Sequence, residues 1–244
     1  MKHIPLILLI ISALFIVGCS EEEIPETPIE LPKPVQVMFY AEDGVQLSGI
    51  VWNNKDSDKG IVLLHMAGNS KEDYATLAQV LQQAGYGVFM FDFRGHGISL
   101  GEDWKTMSDA QWLDLEKDVK AAVKFMKNMG IYPRIGLVGA SIGANHALRY
   151  AITDEDIESL VLLSPGEDFK GVSSVGLTTY SNPVLLVASY DDTYSATTVS
   201  TIHNELTGEK LIEMYEEAGH GTNMFKTQPE LYKTVADWFD STMP

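Results

Sequence analysis

The stretch that decides the fold is "RIGLVGASIGANHALRY", residues 134–150. An apolar run ends at Gly139, Ser141 follows between small residues, and a helix-like run begins directly after it. A strand, a tight turn and a helix in this order form the setting in which a serine is exposed as a nucleophile above the edge of a sheet. The turn also directs the Ile142 N–H and the positive end of the helix toward an oxygen that becomes negative. The stretch therefore predicts an α/β protein with Ser141 as nucleophile, and a packing turn without chemistry is the alternative.

Short apolar runs alternate with amphipathic runs along the rest of the chain. The runs typical of strands, several of them apolar enough to be buried on both faces, are residues 35–40, 46–52, 60–65, 87–93, 134–139, 159–164, 183–189 and 210–215. The helix candidates are residues 71–84, 108–128, 142–152, 195–206 and 229–240. This alternation predicts a mostly parallel eight-stranded sheet flanked by helices. The first two strands have no helix between them, which predicts an antiparallel hairpin at one edge.

A serine hydroxyl needs a base to become a nucleophile, and three histidines follow Ser141 in the chain. In this architecture the acid follows the nucleophile and the base comes last. His220 lies between glycines in "EEAGHGTNMF", after the last predicted strand. His146 falls inside the helix behind the serine, and His203 falls in a polar helix at the surface. The order therefore predicts His220 as the base.

The acid is expected directly after the strand at 183–189, where "YDDTYS" offers Asp191 and Asp192. Adjacent side chains diverge, so only one of the two carboxylates can reach the imidazole. The sequence alone favours neither strongly, and the other aspartate is expected to cap the loop or face solvent.

A second oxyanion donor is expected from the loop after the third strand, "LLHMAGNS" (63–70). The backbone N–H of Ala67 is the predicted donor, and His65 is expected to brace the loop by hydrogen bonding. The turn "FDFRGHGIS" (91–99) carries Asp92, Arg94 and His96. These side chains predict a glycine-rich turn pinned by charges rather than a catalytic group.

Taken together, these motifs resemble the α/β-hydrolase superfamily over nearly all of residues 37–240: the elbow, the H-x-x-G loop, the D-x-R-G-x-G-x-S turn, the aspartate after a strand and the late G-H-G. The segments "GASIGAN", "VLLSPG" and "GHGTNM" resemble its dienelactone-hydrolase-like and serine-aminopeptidase-like branch, found in bacterial lipoproteins. The resemblance implies Ser141, Asp192 and His220 as triad and the N–H groups of Ala67 and Ile142 as oxyanion donors. Many relatives have His-Gly where this chain has His65-Met66, so Met66 is expected to narrow the pocket or tilt the Ala67 N–H.

The resemblance implies a serine hydrolase that cleaves a small ester through an acyl-enzyme, without a cofactor. A serine aminopeptidase, with Glu167 and Asp168 available for a substrate amine, is one alternative, and a non-catalytic protein that binds a ligand is another. The connector at residues 165–182 has room for one short helix and two turns, but not for a cap of several helices. An open site and small, soluble ester substrates are therefore expected.

The composition narrows the choice of partners. The 244 residues carry a net charge of −17, spread along the chain. Such a surface repels phosphate backbones, so nucleic-acid binding is not expected. The sequence contains no H-E-x-x-H motif, phosphate loop or dinucleotide fingerprint, so we expect neither a metal site nor a bound nucleotide.

The N-terminus has its own organisation. Residues 1–18 combine a positive start with a short apolar core, as secretory signals do. Cys19, the single cysteine, follows Ile16-Val17-Gly18 in a tetrad that resembles the lipobox of bacterial lipoproteins. The sequence predicts cleavage before Cys19, lipidation of Cys19, an acidic proline-rich tether over residues 19–34 and a hydrolase domain over residues 35–244 outside the cytoplasmic membrane. An uncleaved membrane anchor is the alternative.

Overall fold

The computed structural model describes residues 33–177 and 179–244. The predicted signal peptide of residues 1–18, Cys19 and the tether up to residue 32 lie outside the described residues. In the part of the chain that is described, no helix is long and apolar enough to cross a membrane.

The main sheet has the eight strands that the sequence predicts, each within two residues of its expected bounds. They are β1 Val35–Tyr40, β2 Gln46–Trp52, β3 Lys59–Leu64, β4 Gly87–Phe91, β5 Arg134–Ala140, β6 Ile157–Leu163, β9 Val184–Ser189 and β10 Lys210–Tyr215. The strands β3 to β6 and β9 are almost entirely buried, as their continuous apolar runs require.

The strand order across the sheet is β1-β2-β4-β3-β5-β6-β9-β10. β1 and β2 form the expected antiparallel hairpin at one edge, and β2 is also antiparallel to β4. The other six strands are parallel to one another. From β3 the chain moves to β4 on one side and returns to β5 on the other, so the strand order reverses between β3 and β5. Open α/β sheets bind ligands beyond the carboxyl ends of their strands at such a reversal, and Ser141 directly follows β5 there.

Helices cover both faces of the sheet. One face packs against α1 Ala75–Gln83 and α7 Leu231–Thr242, and the other packs against α3 Leu115–Asn128, α4 Ile142–Ala151 and α5 Thr193–Glu205. Shorter elements complete the fold: α2 Asp109–Leu113, α6 Met224–Thr227 and the 3-10 helices Lys71–Tyr74 and Gly221–Asn223. Each fully buried Leu, Val or Phe side chain in these two cores contributes about 1.5–3 kcal/mol relative to exposure.

Three helix predictions differ from the structure in instructive ways. The helix expected over residues 108–128 is broken at Asp114 into α2 and α3. The helix expected over residues 71–84 begins as a 3-10 turn, and only its second part is α-helical. α5 starts two residues earlier than expected because an Asp192 side-chain oxygen accepts the Ser195 N–H and caps the helix.

The connector at residues 165–182 contains a small antiparallel hairpin, in a segment that had room for one short helix and two turns. Its strands are β7 Asp168–Phe169 and β8 Val172–Ser173. The hairpin is tied to α4 because the buried Asn145 amide donates to the Val172 carbonyl at 2.7 Å. The Asn145 side-chain oxygen also accepts the Gly166 N–H at 3.0 Å. The connector is therefore a short segment fixed to α4, the helix that follows Ser141. Its described residues form no helical cap.

Candidate active site

Ser141 occupies a strained turn between β5 and α4. Its φ of 53° and ψ of −119° lie outside the regions that side-chain-bearing residues favour. A Cβ added to Gly139 would lie 2.3 Å from the Gly143 carbonyl oxygen, and one added to Gly143 would lie 2.3 Å from the Leu64 carbonyl oxygen. Both contacts are impossible, so the turn requires the two glycines, as the sequence predicts.

The Ile142 N–H belongs to the first turn of α4, where amide groups lack intrahelical partners. The Ala144 and Asn145 N–H groups bond to the Ser141 carbonyl, which closes the helix below this point. Ile142 itself is buried, so its amide lies in a setting that excludes water from one side. This is the arrangement in which a backbone N–H can hold a developing oxyanion.

The loop after β3 holds Ala67, which is half-buried. His65 braces this loop as expected: its Nδ1 donates to the Met66 carbonyl at 2.8 Å, and its Nε2 accepts the Phe93 N–H at 3.0 Å. Burial, with a smaller contribution from His96, lowers the pKa of His65 to about 4. His65 is therefore neutral near pH 7, in the tautomer that both hydrogen bonds require.

Met66 lies between the loop after β3 and the loop after β10. Its side chain is buried and packs against the loop that carries His220. A Cβ added to Gly221 would lie 2.7 Å from the Met66 sulfur and 3.6 Å from the Ala140 Cβ. The loop that follows β10 thus contacts the loop that follows β3 and the end of β5, immediately before Ser141.

Asp192 and His220 form a close polar pair beyond the carboxyl ends of the parallel strands. The Asp192 Oδ2 lies 2.6 Å from the His220 Nδ1, so the ring can donate Nδ1–H to the carboxylate. The structure thereby distinguishes the two neighbouring aspartates, because Asp191 contacts different groups. Asp191 is exposed and accepts hydrogen bonds from the Ser189 hydroxyl and the Gly219 N–H, and the first of these lowers its pKa.

The turn after β4 is pinned by charges, as predicted. Asp92 is fully buried and accepts from the Lys71 ammonium at 2.6 Å and from the Ile98 N–H at 3.1 Å. Burial acts to lower the pKa of Lys71, but the Asp92 and Glu72 carboxylates together outweigh it and hold that pKa above its usual value.

Arg94 forms a second buried ion cluster in the same turn. Its guanidinium lies 2.6 Å from Asp118 and 2.7 Å from Asp43. Hydrogen bonding to Arg94 lowers the pKa of Asp43 to about 2, whereas burial raises the pKa of Asp118 to about 6. The Arg94 guanidinium therefore serves to hold the turn through Asp43 and Asp118.

The other three described histidines lie elsewhere in the fold. His146 is buried in α4, and its Nε2 donates to the Trp112 carbonyl at 3.1 Å. His203 lies in the last turn of α5, where its side chain is half-buried. His96 is buried, donates Nδ1–H to the Arg94 carbonyl and stacks on Trp104 at a centroid distance of 5.7 Å.

Two further contacts at this edge were not anticipated. The Ser164 hydroxyl accepts the Gly221 N–H at 2.9 Å, and the Asp73 carboxylate accepts the Thr222 hydroxyl at 2.8 Å. The only sequence signal for Ser164 is its place at the end of a buried strand, immediately before Pro165-Gly166. Asp73 carries no signal, because its partner comes from a distant part of the chain.

Comparison with known proteins identifies the fold and the family. Among solved structures, the esterase Pf2001 of Pyrococcus furiosus matches with a TM-score of 0.73 and 23% identity, over 87% of this chain and 91% of that one. A dienelactone hydrolase of Anabaena variabilis matches with a TM-score of 0.71 and 19% identity, over 87% and 99% of the two chains. These likenesses establish the α/β-hydrolase fold.

Sequence relatives and a family profile also match the chain. A Mycobacterium tuberculosis protein described as uncharacterized is 29% identical over 169 residues, which is 66% of this chain but only 55% of that protein. A carboxylesterase of Bacillus subtilis is 21% identical over 236 residues, 76% of this chain and 94% of the relative. The profile of the family "serine aminopeptidase, S33" matches residues 55–178, just over half of the chain. The chain therefore belongs to the serine aminopeptidase (S33) family and has the α/β-hydrolase fold.

Proposed function

We propose that this protein is a serine hydrolase that cleaves small carboxylic esters. Ser141 is the nucleophile, His220 the general base and Asp192 the residue that orients the imidazole. The backbone N–H groups of Ala67 and Ile142 hold the oxyanion. The observation that carries the proposal is the 2.6 Å contact between Asp192 and His220. The loop that carries His220 packs beside the strained turn at Ser141.

The first half of the reaction forms an acyl-enzyme. His220 Nε2 takes the proton from the Ser141 hydroxyl as the oxygen attacks the ester carbonyl, and the positive ring is stabilised by the Asp192 carboxylate. The carbonyl oxygen becomes negative and is held by the two backbone N–H groups. When the tetrahedral species collapses, the ester C–O bond breaks and His220 gives its proton to the departing alkoxide, which leaves as an alcohol.

The second half reverses the roles with water. His220 removes a proton from a water molecule that attacks the acyl carbon, and the same N–H groups hold the oxyanion again. Collapse of this species releases the acid, and the proton on His220 returns to Ser141. Both halves use one base, one nucleophile and one pair of donors, so no cofactor is required.

The ester assignment is favoured over a peptidase by the environment of the two acidic residues considered for amine binding. The Asp168 carboxylate accepts the Gly171 N–H at 3.0 Å and so closes its own hairpin turn. Glu167 is exposed, and the Ser173 hydroxyl donates to its backbone carbonyl. A substrate amine is recognised by a carboxylate held in a fixed orientation toward the site, whereas the Asp168 carboxylate is used by its own turn and no described residue holds the Glu167 carboxylate. The Bacillus subtilis relative named a carboxylesterase supports the same choice.

A covalent probe of the full-length protein in detergent tests the proposal. A fluorophosphonate should label the wild-type chain at Ser141 and should not label Ser141→Ala. Ser200→Ala, an exposed serine on α5 whose hydroxyl bonds only within its helix, is the matched control and should be labelled normally. A parallel assay compares p-nitrophenyl acetate with aminoacyl p-nitroanilides. A wild-type protein that takes no label and hydrolyses neither substrate would favour the non-catalytic binding alternative and sink the proposal.

The location of the protein is a second part of the proposal. The motif that ends at Cys19 supports lipidation of that residue and cleavage of the chain before it. The hydrolase domain would then be held at the outer side of the cytoplasmic membrane by its acidic tether. The residues concerned lie outside those that the structure describes, so the support comes from the sequence.

A further inference from the structure

Ser164 is the first residue after β6, and its backbone is strained. It is fully buried and has a φ of 49°, in the left-handed region that glycine occupies readily. A residue with a side chain is destabilised in this conformation by the close approach of its Cβ to the following carbonyl oxygen. Such strain persists only where surrounding contacts enforce it, and it is concentrated at functional sites.

The contacts of Ser164 reach the base. Its hydroxyl oxygen accepts the N–H of Gly221, the residue next to His220, at 2.9 Å. Its own N–H donates to the Val187 carbonyl at 2.7 Å, which fixes the residue against β9. Gly221 is buried, so its amide depends on this hydroxyl as a partner within the protein.

The same short segment reaches the other two members of the triad. The carbonyl of Leu163 accepts the Ser141 N–H at 2.8 Å. The carbonyl of Ser164 accepts the hydroxyl of Ser195 at 3.4 Å, and the Ser195 N–H in turn lies 3.4 Å from the Asp192 carboxylate. Leu163 therefore holds the nucleophile directly. Ser164, the next residue, holds the base through Gly221 and the acid through Ser195.

We propose that Ser164 is a positioning residue that holds the His220 imidazole in the position from which it can act on the Ser141 hydroxyl. The inference rests on the proposed function, in which His220 is the base. Without the hydroxyl, the buried Gly221 N–H would be left without a partner, which is unfavourable, and the loop would move to find another partner. A displacement of about 1 Å at a reacting group can cost about 100-fold in rate.

Two substitutions separate the hydroxyl from the strain. Ser164→Ala removes the hydroxyl and keeps a Cβ in the left-handed conformation, whereas Ser164→Gly removes both the hydroxyl and the strain. We expect kcat to fall about 10- to 100-fold in both variants, with KM changed less than about threefold. We also expect Ser164→Gly to melt at a higher temperature than Ser164→Ala. If kcat instead follows melting temperature, so that Ser164→Gly retains wild-type turnover, Ser164 has only a structural role and the inference is overturned.

Ser159→Ala is the matched control. Ser159 is also buried, lies near the opposite end of the same strand and hydrogen-bonds the Thr242 hydroxyl at 2.8 Å. Its loss should lower stability and leave kcat unchanged.

A spectroscopic measurement reports on the base without turnover. The proton between His220 Nδ1 and Asp192 gives a downfield proton NMR signal, which His220→Gln identifies by its absence. In both Ser164 variants this signal should shift or broaden, and in Ser159→Ala it should not. An unchanged signal in the Ser164 variants would contradict the inference even if the wild-type protein proved inactive. A wild-type protein that is labelled by the fluorophosphonate, with Ser164 variants labelled at the same rate, would refute this inference and leave the proposed function intact.

Discussion

The Asp73 carboxylate lies 2.8 Å from the hydroxyl of Thr222, a residue 149 positions later in the chain. The same oxygen of Asp73 accepts the side-chain amide of Asn69. Asn69 belongs to the loop that carries Ala67, and Thr222 belongs to the loop that carries His220. One carboxylate therefore joins the proposed oxyanion donor to the proposed base.

Replacing this carboxylate should impair turnover. Asp73→Ala leaves the Asn69 amide and the Thr222 hydroxyl without their shared acceptor, and hydrogen bonds to a charged group contribute about 1.5–3 kcal/mol each. We expect kcat to fall about tenfold, together with a lower melting temperature. Glu72→Ala is the control, because Glu72 is adjacent and exposed, and its carboxylate contacts Ser70 and Lys71 but neither Asn69 nor Thr222. Steady-state kinetics that show equal kcat for both variants would contradict the proposed link between the loops.

The two neighbouring aspartates should respond very differently to the same change. Asp192→Asn replaces the carboxylate that faces His220 and should reduce kcat/KM by about 10⁴, by analogy with the serine-protease triad. Asp191→Asn affects only the bonds to Ser189 and Gly219 and should cost less than about tenfold. Measuring kcat/KM on p-nitrophenyl acetate compares the two directly. A crippled Asp191 variant beside an active Asp192 variant would reverse the assignment of the acid.

The short connector should make the enzyme indifferent to long acyl chains. Its hairpin has strands of only two residues each and its described residues form no helical cap to enclose a long chain, and each methylene left unburied forgoes about 0.8 kcal/mol. We expect the highest kcat/KM for short p-nitrophenyl esters in a series from acetate to palmitate, without a jump above the micellar concentration. Activity that rises steadily toward palmitate would mean that a long apolar site exists elsewhere.

His146 should make the protein sensitive to mild acid. Burial lowers the pKa of His146 from 6.5 to about 3. Below about pH 6.5 the unfolded chain therefore binds a proton at this residue and the folded chain does not. The free energy of unfolding should fall as the pH drops from about 6.5 toward 3, by up to about 1.4 kcal/mol per pH unit from this one group. His146→Gln can keep the hydrogen bond to the Trp112 carbonyl and should flatten that slope in urea unfolding at pH 7.5 and pH 5. Equal slopes in the two proteins would refute this assignment.

Cys19→Ser should prevent lipidation. The variant should accumulate with its N-terminal apolar segment uncleaved, whereas the wild-type chain should begin at a lipid-modified Cys19. Intact-mass spectrometry of protein extracted from membranes distinguishes the two. An unmodified Cys19 in the membrane-extracted wild-type protein would leave the uncleaved anchor as the better interpretation.

The strands and the elbow could be predicted from the sequence because their causes are local. A strand buried on both faces needs a continuous apolar run, and the runs that became β3, β5 and β9 are unmistakable. The turn at Ser141 needs Gly139 and Gly143, because a side chain at either position would collide with backbone atoms. The resemblance to a known superfamily then assigned Asp192 rather than Asp191, and the contact with His220 agrees with that assignment.

The features that escaped prediction depend on residues far apart in the chain or on backbone conformation. Asp73 is an ordinary acidic residue in its own segment, and its importance appears only when folding brings Thr222 to it. Ser164 was expected inside a strand, and its left-handed conformation has no local signature. The connector hairpin consists of two two-residue strands, too short for an alternating pattern to be visible.

The direction of β1 determines where anything attached to the N-terminus joins the domain. β1 is antiparallel to β2, and β2 is antiparallel to β4, so β1 runs in the same direction as the parallel strands. Val35 therefore lies at the end of the sheet where the parallel strands begin. Ser141, Asp192 and His220 lie beyond the opposite end, where those strands finish. A lipid anchor at Cys19, as proposed, would therefore join the domain at the end of the sheet opposite the proposed triad.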